Sequence, residues 1–457
     1  RIRHNLTINY GLRWQSTWGL FLASGRSEAD NPAYITLQAL QIPVVPALPH
    51  DDHAQFAPRI GIAYSPGNSE TTVIRAGFGI YYDDLAQTGW ATAFQAVNNS
   101  NFTTGPCQLT GGPGTYALTG SGCLTGGSGV TGNVIGSPYK TPYNIHVTGG
   151  IQHALNSQWV VSADYVYEDG VHGYRLFPYT SGTNLFTPLI PTSDPYYATD
   201  QANVVPNVNV AESDNRSKYN ALMVHLAGNM KRLNLVANYT LSRADTWGCL
   251  LGELFDYVDG VCQMTNGQLN AFGPGDYGPS GENVTNRFVL AAIVYLPGGF
   301  ELSTVNQFES ARPFTITNAD NTGRIYVNGV PTSLDEFRGT PYMQTDLRVT
   351  RPFKVGERWN VLPFIEFFNL FNRNNPGANY AVNVVQLPVP PSQMVPNPVT
   401  GITNITSVCK NASCTQTAPI TSLSQIEIPE GAFGDFFGPG TTVGIPFAAQ
   451  LGLRVTF

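Results

Sequence analysis

The chain has 457 residues with a formal net charge of −7, and 12% of its residues are charged while 42% are hydrophobic. Soluble domains carry about twice that charged share, roughly 25%. A transmembrane β-barrel fits this composition, because its lipid-facing and lumen-facing residues alternate along every strand. A secreted all-β protein is the alternative that composition leaves open. The acidic balance provides no basic surface, so nucleic acid is not expected as a partner.

Apolar and polar residues alternate along about twelve segments, the pattern of strands with one apolar face. In the first segment, Leu6 and Ile8 alternate with Thr7 and Asn9. Most segments have about 10 residues, which suits a tilted transmembrane strand. The longest apolar run, Phe288–Leu296, is about half the roughly 20 residues that a membrane helix needs. The predicted strands start near residues 4, 58, 71, 143, 159, 217, 232, 286, 300, 342, 358 and 446.

The charged residues of these segments fall on the polar side of the alternation. An Arg that faced lipid at the middle of a bilayer would cost roughly 2–4 kcal/mol, so we expect these side chains to face the lumen. The segment at residues 286–296 fits less well, because Val289, Ala291 and Ile293 place apolar side chains on the lumen side too. The predicted lumen-facing charges are Arg13, Arg59, Arg75, Asp164, Asp346, Arg348, Glu366 and Arg454.

The connections between the segments alternate in length. Outer-membrane barrels have short periplasmic turns and long extracellular loops. If the last strand descends to the periplasm, every short connection is periplasmic and every long one is extracellular, which favours the barrel over the secreted protein. The short connections are Ser65–Glu70, Asn156–Gln158, Gly228–Lys231, Pro297–Gly299 and Lys354–Arg358, and the long ones cover roughly residues 15–57, 84–142, 169–216, 243–285, 312–341 and 372–445.

The six cysteines form three pairs that are close in sequence, and each pair lies in a long connection. None has the clustered Cys or His spacing of a zinc site. Local pairs in extracellular loops predict disulfides made in an oxidising compartment. The predicted disulfides are Cys107–Cys123, Cys249–Cys262 and Cys409–Cys414.

Several stretches resemble the TonB-dependent outer-membrane receptors of the Oar-like group, which carry a carboxypeptidase-regulatory-like domain at the N-terminus. The resemblance runs from residue 1 to residue 457 and is broken only by the loops. No single motif is specific, but their order and spacing are. The stretches are Asn5–Arg13 (NLTINYGLR), Phe56–Tyr64 (FAPRIGIAY), Ser217–Leu222 (SKYNAL) with Ala237–Ser242 (ANYTLS), Asn286–Val289 (NRFV) before Leu296-Pro297, and Phe367–Asn372 (FFNLFN).

The resemblance implies a 22-stranded barrel, an N-terminal plug and a segment that contacts TonB. This chain has about twelve strands and no plug, so residues 1–457 look like the second half of such a barrel. A barrel protein must be exported, and the sequence opens into a strand without a signal peptide. We therefore expect that an N-terminal part is missing here. The implied partners are outer-membrane lipid, the TonB complex through the missing part, and a small-molecule, oligosaccharide or peptide ligand.

The C-terminal strand ends on alternating apolar residues and a terminal aromatic, at Leu451, Leu453, Val455 and Phe457. In this class of protein that end is the signal for the barrel-assembly machinery, which is a further expected partner.

Other functions remain as alternatives. A self-contained twelve-stranded barrel could be an autotransporter translocator or an outer-membrane hydrolase, and the Oar-like group leaves room for a role in adhesion or secretion. We find no nucleophile, His and orienting group that would support catalysis, so no enzyme activity and no cofactor are predicted. The densest group of metal-ligand residues, His50 to His53, is assigned to a solvated loop, and no metal site is predicted.

Overall fold

In the computed structural model, twelve long strands form one antiparallel sheet that follows the order of the sequence. The described part of the chain contains no helix long and apolar enough to span a membrane. The described residues are 3–16, 52–67, 71–82, 108–110, 117–119, 131–135, 138, 140–180, 207–247, 277–281, 283–318, 325–333, 336–339, 341–356, 358–373, 375, 384–387, 393–396, 403–426 and 446–457.

The twelve long strands correspond one for one to the predicted segments. They are β1 (Leu6–Gln15), β2 (Gln55–Tyr64), β3 (Thr72–Tyr82), β4 (Tyr143–Ala154), β5 (Trp159–Thr180), β6 (Asn207–Met230), β7 (Leu233–Trp247), β8 (Asn286–Tyr295), β9 (Glu301–Glu309), β10 (Tyr342–Thr350), β11 (Trp359–Phe368) and β12 (Ala448–Thr456).

Short strands and turns lie in the connections. The short strands are Gln108–Thr110, Ala117–Thr119, Thr131–Ile135, Tyr277–Pro279, Pro313–Asn318, Tyr326–Val327, Val330–Pro331, Phe337–Arg338, Phe353–Val355, Val384–Leu387, Met394–Pro396, Thr403–Ile405, Ser407–Cys409 and Thr417–Pro419, and the 3-10 turns are Pro297–Gly299 and Leu423–Gln425.

The sheet is an up-and-down meander, and it is not closed. Each long strand pairs with the next one along the chain, from β1 with β2 to β11 with β12. Among the described residues, no pairing joins β1 to β12. In the described chain, one edge of each of these two strands therefore has no neighbouring strand.

Local sequence explains the short connections. At the β4–β5 turn, the Asn156 side chain accepts hydrogen bonds from the backbone N–H groups of Gln158 and Trp159, at 2.8 and 3.0 Å. At the β8–β9 turn, Gly298 and Gly299 have positive φ angles of 82° and 79°, which glycine adopts without a steric penalty. These residues reverse the chain within a few residues, as the short connections require.

The connections after β5 and β7 are shorter than the sequence predicted. Residues 169–216 and the start of 243–285 were expected to be loop, but β5 continues to Thr180, β6 begins at Asn207 and β7 continues to Trp247. The apolar alternation on β5 ends near Tyr167, and the added strand length mixes apolar, glycine and charged residues without one apolar face. Strand pairing alone continues the sheet there, which an apolar pattern cannot reveal.

Two long loops fold together into one small body with its own core. The parallel pairing of Pro313–Asn318 with Val384–Leu387 joins the β9–β10 loop to the β11–β12 loop. Asn328 N–H also donates to the Ile420 carbonyl, at 2.9 Å. The fully buried side chains of this body, which we call the loop core, are Phe314, Ile316, Ile325, Ile405 and Ile420.

The FFNLFN stretch forms the exit from β11. Asn369 and Asn372 both have positive φ angles, 45° and 47°, a conformation that Asn tolerates better than most residues. The Asn369 side chain accepts from the Arg373 N–H and donates to the Arg373 carbonyl, each at 2.9 Å. The Asn372 side chain accepts from the Phe447 N–H at 3.1 Å, which ties the exit of β11 to the chain just before β12.

Candidate functional site

One face of the sheet collects the charged side chains of the strands. Residues directly opposite each other in paired strands point to the same side, so the register assigns every strand residue to one of two faces. We call the side that carries Arg59 the polar face and the other side the apolar face. All eight predicted charges lie on the polar face: Arg13, Arg59, Arg75, Asp164, Asp346, Arg348, Glu366 and Arg454.

On β10 and β11, most of these charges have partners on the same face. Arg348 Nη1 lies 3.1 Å from Glu366 Oε1, and the Gln450 amide also donates to Glu366. Asp346 accepts from the Gln344 side chain at 2.9 Å and from the Asn369 backbone N–H at 2.9 Å. The face therefore carries two groups of hydrogen-bonded polar side chains at this end of the sheet, one around Glu366 and one around Asp346.

The charges nearer to β1 interact with rings and amides. The Arg59 guanidinium lies over the Tyr81 ring, 4.3 Å from its centroid, and the Arg75 guanidinium donates to the Gln152 side chain. The Asp164 carboxylate covers Gly150 so closely that a Cβ there would collide with it. On the two outermost strands, Arg13 and Arg454 are exposed.

One ion pair and one contact between a histidine and a carboxylate on this face were not among the predicted lumen charges. Arg287 Nε lies 3.0 Å from Glu309 Oε1, and His146 Nδ1 lies 3.5 Å from Glu168 Oε1. Their parity along β4, β5, β8 and β9 matches that of the predicted charges. Extending the alternation rule to every charged residue would have found them.

The polar face also carries a row of apolar residues, which accounts for the poor fit of Ala291 but not for that of Val289 and Ile293, whose partners in the neighbouring strands are polar. The residues of this row stand opposite one another across six strands, from β4 to β9, and Ala291 is the member on β8. The row borders a recess of about 650 Å³ near the short connections. The row consists of Ala154, Val160, Ala227, Val236, Ala291 and Val305.

The apolar face has the height of a bilayer. On β5 it is apolar from Trp159 to Tyr167 and then turns charged at Asp169. That apolar section has about nine residues, within the roughly 9–11 that a tilted strand needs to cross. On β7 the same change occurs after Leu241, where Arg243 and Asp245 form an ion pair at 2.7 Å. The hydrogen bond that the Arg243 guanidinium donates to the Asp245 carboxylate raises the pKa of Arg243.

The predicted assembly signal lies on the apolar face of β12. Leu451, Leu453, Val455 and Phe457 are all exposed, and Phe457 is 91% exposed. The Phe457 ring lies against Trp359 of β11, with 5.3 Å between ring centroids. The last strand therefore presents an uncovered apolar stripe that ends in an aromatic pair.

The cysteine at position 409 forms a disulfide with Cys414 in the β11–β12 loop. It closes the hairpin between Ser407–Cys409 and Thr417–Pro419, whose residues continue into the loop core. The other predicted pairs, Cys107–Cys123 and Cys249–Cys262, lie outside the described residues. So do His50 and Asp51, while Asp52 accepts a hydrogen bond from Thr141 at 2.7 Å.

Comparison with known proteins gives similar structures and a family. The outer membrane transporter YddB from Escherichia coli is 15% identical, with a TM-score of 0.43, over 71% of this chain and 38% of that chain. A mutant of the ferric enterobactin receptor PfeA from Pseudomonas aeruginosa is 11% identical, with a TM-score of 0.44, over 92% and 41%. The ferric-catecholate import receptor Fiu from Escherichia coli K12 is 10% identical, with a TM-score of 0.40, over 88% and 41%. The chain thus spans about two fifths of the length of these structures.

A comparison with the curated proteins finds no match. The family described as outer membrane beta barrel domain matches residues 1–335, which is most of the 457-residue chain. The antiparallel meander with one apolar face agrees with that match. This chain belongs to the outer membrane beta barrel domain family and is a protein of the outer membrane.

Proposed function

We propose that residues 1–457 are the C-terminal part of the barrel of a TonB-dependent outer-membrane receptor. In this proposal the apolar face contacts lipid and the polar face lines the lumen. The long loops capture a ligand outside the cell. Uptake is energised by the TonB complex, which acts through N-terminal parts outside these residues, including a plug and a regulatory-like domain.

The observation that carries this proposal is the separation of the two faces across all twelve strands. Eight charges share one face, and the other face is apolar over about nine residues per strand on β5 and β7. A water-soluble sandwich would bury its apolar face, whereas here Tyr10, Leu12 and Leu451 are exposed. Lipid covers such a face without any further protein.

The open sheet supports the proposal that these twelve strands form part of a barrel wall and that further strands complete it. In lipid, each unpaired backbone group costs several kcal/mol. The facing edges of β1 and β12 do not pair in the described chain. Further strands of the same barrel would satisfy both edges, as in the larger barrels that the sequence resembles.

The alternatives make different demands on these two strands. A self-contained translocator or hydrolase of twelve strands needs β1 to pair with β12 and needs side chains that fill a narrow lumen. The open seam and the recess of about 650 Å³ on the polar face weigh against that arrangement. A role in adhesion or secretion requires neither a closed twelve-stranded barrel nor a filled lumen. The uptake experiment below distinguishes such a role from transport.

The test is energised depletion of ligand from the medium. Cells that express the complete gene, with TonB present or deleted, are incubated with a defined mixture of ferric siderophores, cobalamin, oligosaccharides and peptides. We expect at least one compound to be depleted only when both the gene and TonB are present. Depletion that persists without TonB, or no depletion by cells that display the folded protein, would contradict the proposal.

A further inference from the structure

A second recess lies on the polar face at its long-loop end. It has a volume of about 350 Å³, within the roughly 300–1,000 Å³ of small-molecule sites. Two adjacent rows of the sheet build it, so its shape is fixed by backbone pairing between β4 and β7. One row runs through Glu168, Tyr219 and Ala244, and the other through Asn144, Gly170, Ser217 and Thr246.

The floor of the recess consists of small residues. A Cβ on Gly170 would collide with Ser217 Oγ, so glycine is required for the Ser217 hydroxyl to lie there. Ala244, which pairs with Tyr219, is a second small residue of the floor. Thr246 and Ser280 are almost fully buried, at 1% and 5% exposed. The small floor lets the hydroxyl-bearing side chains stand around an open volume.

The polar groups of the recess retain capacity for hydrogen bonds. Glu168 contacts His146 and Asn144 only at 3.5 Å each, which is longer than a strong hydrogen bond of about 2.9 Å. The Oδ1 atom of Asn144 is buried and has no hydrogen-bond partner in the described chain. A buried acceptor of this kind costs free energy unless a donor reaches it, and the neighbouring Glu168 side chain, 29% exposed, is the acceptor that a ligand hydroxyl can reach.

We infer that this recess binds a sugar unit of a neutral saccharide, an inference that rests on the proposed function and names the ligand class of the receptor. Asn144, Ser217 and Tyr219 offer donors and acceptors in alternation, and sugar hydroxyls both donate and accept. Glu168 accepts from hydroxyl groups. The lining also contains Lys218 and Asp245. Asp245 is paired with Arg243, and the charges of Glu168 and Lys218 balance each other, so a neutral ligand suits the recess better than an anionic one such as a ferric catecholate.

The experiment is calorimetric titration of the complete gene product in detergent micelles. The probes are neutral oligosaccharides of glucose, xylose and mannose, with a ferric tris-catecholate as the anionic probe. Ser217→Ala and Tyr219→Phe each remove one hydroxyl at little change in volume. Their matched controls are Ser162→Ala, on the same face outside the recess, and Tyr167→Phe, on the apolar face.

We expect a neutral saccharide to bind, the two recess variants to weaken it by about 3- to 10-fold each, and the controls to leave it unchanged. Binding of the catecholate alone, no binding by any saccharide, or equal affinity in all four variants would overturn the inference. Energised uptake at an unchanged rate in the Ser217→Ala and Tyr219→Phe variants would also overturn the inference, and it would leave the proposed receptor function intact. Saccharide binding without TonB-dependent depletion would support the recess and contradict the proposed function.

Discussion

The phenol of Tyr165 on β5 donates a hydrogen bond to the Asn220 side chain on β6, at 2.8 Å, on the apolar face. Tyr239 on β7 makes the same contact with Asn286 on β8, at 2.7 Å. Both pairs lie where the apolar face gives way to charged residues. Tyrosine suits this level because its ring is apolar and its hydroxyl reaches polar groups. The two pairs therefore mark the outer boundary of the hydrocarbon layer on neighbouring strands.

This boundary predicts a strong dependence of charge cost on depth along β5. Ala163→Arg places a charge in the middle of the apolar section and should lower the unfolding free energy by roughly 2–4 kcal/mol. Asp169→Arg lies beyond the boundary and should change it by about 0–1 kcal/mol. Urea unfolding in phospholipid vesicles measures both. Equal costs at the two positions would place the boundary elsewhere.

The register of β12 predicts opposite outcomes for two adjacent residues. Leu453 lies on the apolar face and Arg454 on the polar face. Leu453→Arg should impair assembly into the outer membrane, because the charge would face lipid, whereas Arg454→Leu should be milder. The measurement is the fraction of heat-modifiable, folded protein in outer-membrane preparations. If the two variants behaved alike, or in reverse, the register would be wrong by one residue.

The Cys409–Cys414 disulfide predicts a local stability effect. Replacing both cysteines by serine should destabilise the hairpin from Ser407 to Pro419 by about 2 kcal/mol, because the closed loop no longer restricts its unfolded state. Hydrogen exchange should speed up in the hairpin and the loop core and stay unchanged in β4 to β8. Faster exchange throughout the sheet would contradict a local role. Non-reducing peptide mapping of the same protein tests the predicted pairs Cys107–Cys123 and Cys249–Cys262.

The left-handed conformation of Asn369 predicts a graded response to substitution. Asn369→Ala loses both side-chain contacts with Arg373 and adds a penalty of roughly 1–2 kcal/mol for a Cβ at positive φ. Asn369→Gly loses the same contacts without that penalty and should be less destabilising. Thermal unfolding of the two variants gives the order. An alanine variant as stable as the glycine variant would contradict the strain argument.

Alternation along the chain was enough to predict all twelve long strands, their two faces and the alternating connections. It worked because each strand has one apolar face over the height of the bilayer. The extensions of β5 and β6 were not predicted, because beyond Tyr167 and before Leu222 apolar residues such as Val171 and Val210 are mixed with charged ones and no single face stays apolar. In the sequence of β8 alone, Ala291 only breaks the alternation of apolar and polar residues. The apolar row that contains it can be recognised only from the pairing of six strands.

The loop core and the polar recess depend on contacts between distant parts of the chain. Ile325 and Ile405 belong to different loops and meet through an isolated bridge, which no local pattern indicates. Asn144 and Thr246 reach one recess only because β4 to β7 pair in register. For both sites the sequence supplied the residue types, and the strand register supplied their arrangement.

The most direct test of which face meets lipid compares Ser162 and Ala163, which are neighbours on β5 at the same depth but on opposite faces. Each is replaced by cysteine in a variant whose native cysteines are serine, labelled with an environment-sensitive fluorophore, and reconstituted in vesicles after purification from outer membranes. A lipid-attached quencher should act on the label at position 163, and aqueous iodide should act on the label at position 162. Quenching of both labels by the same agent, or the reverse assignment, would contradict a lipid-facing apolar face and a water-facing polar face.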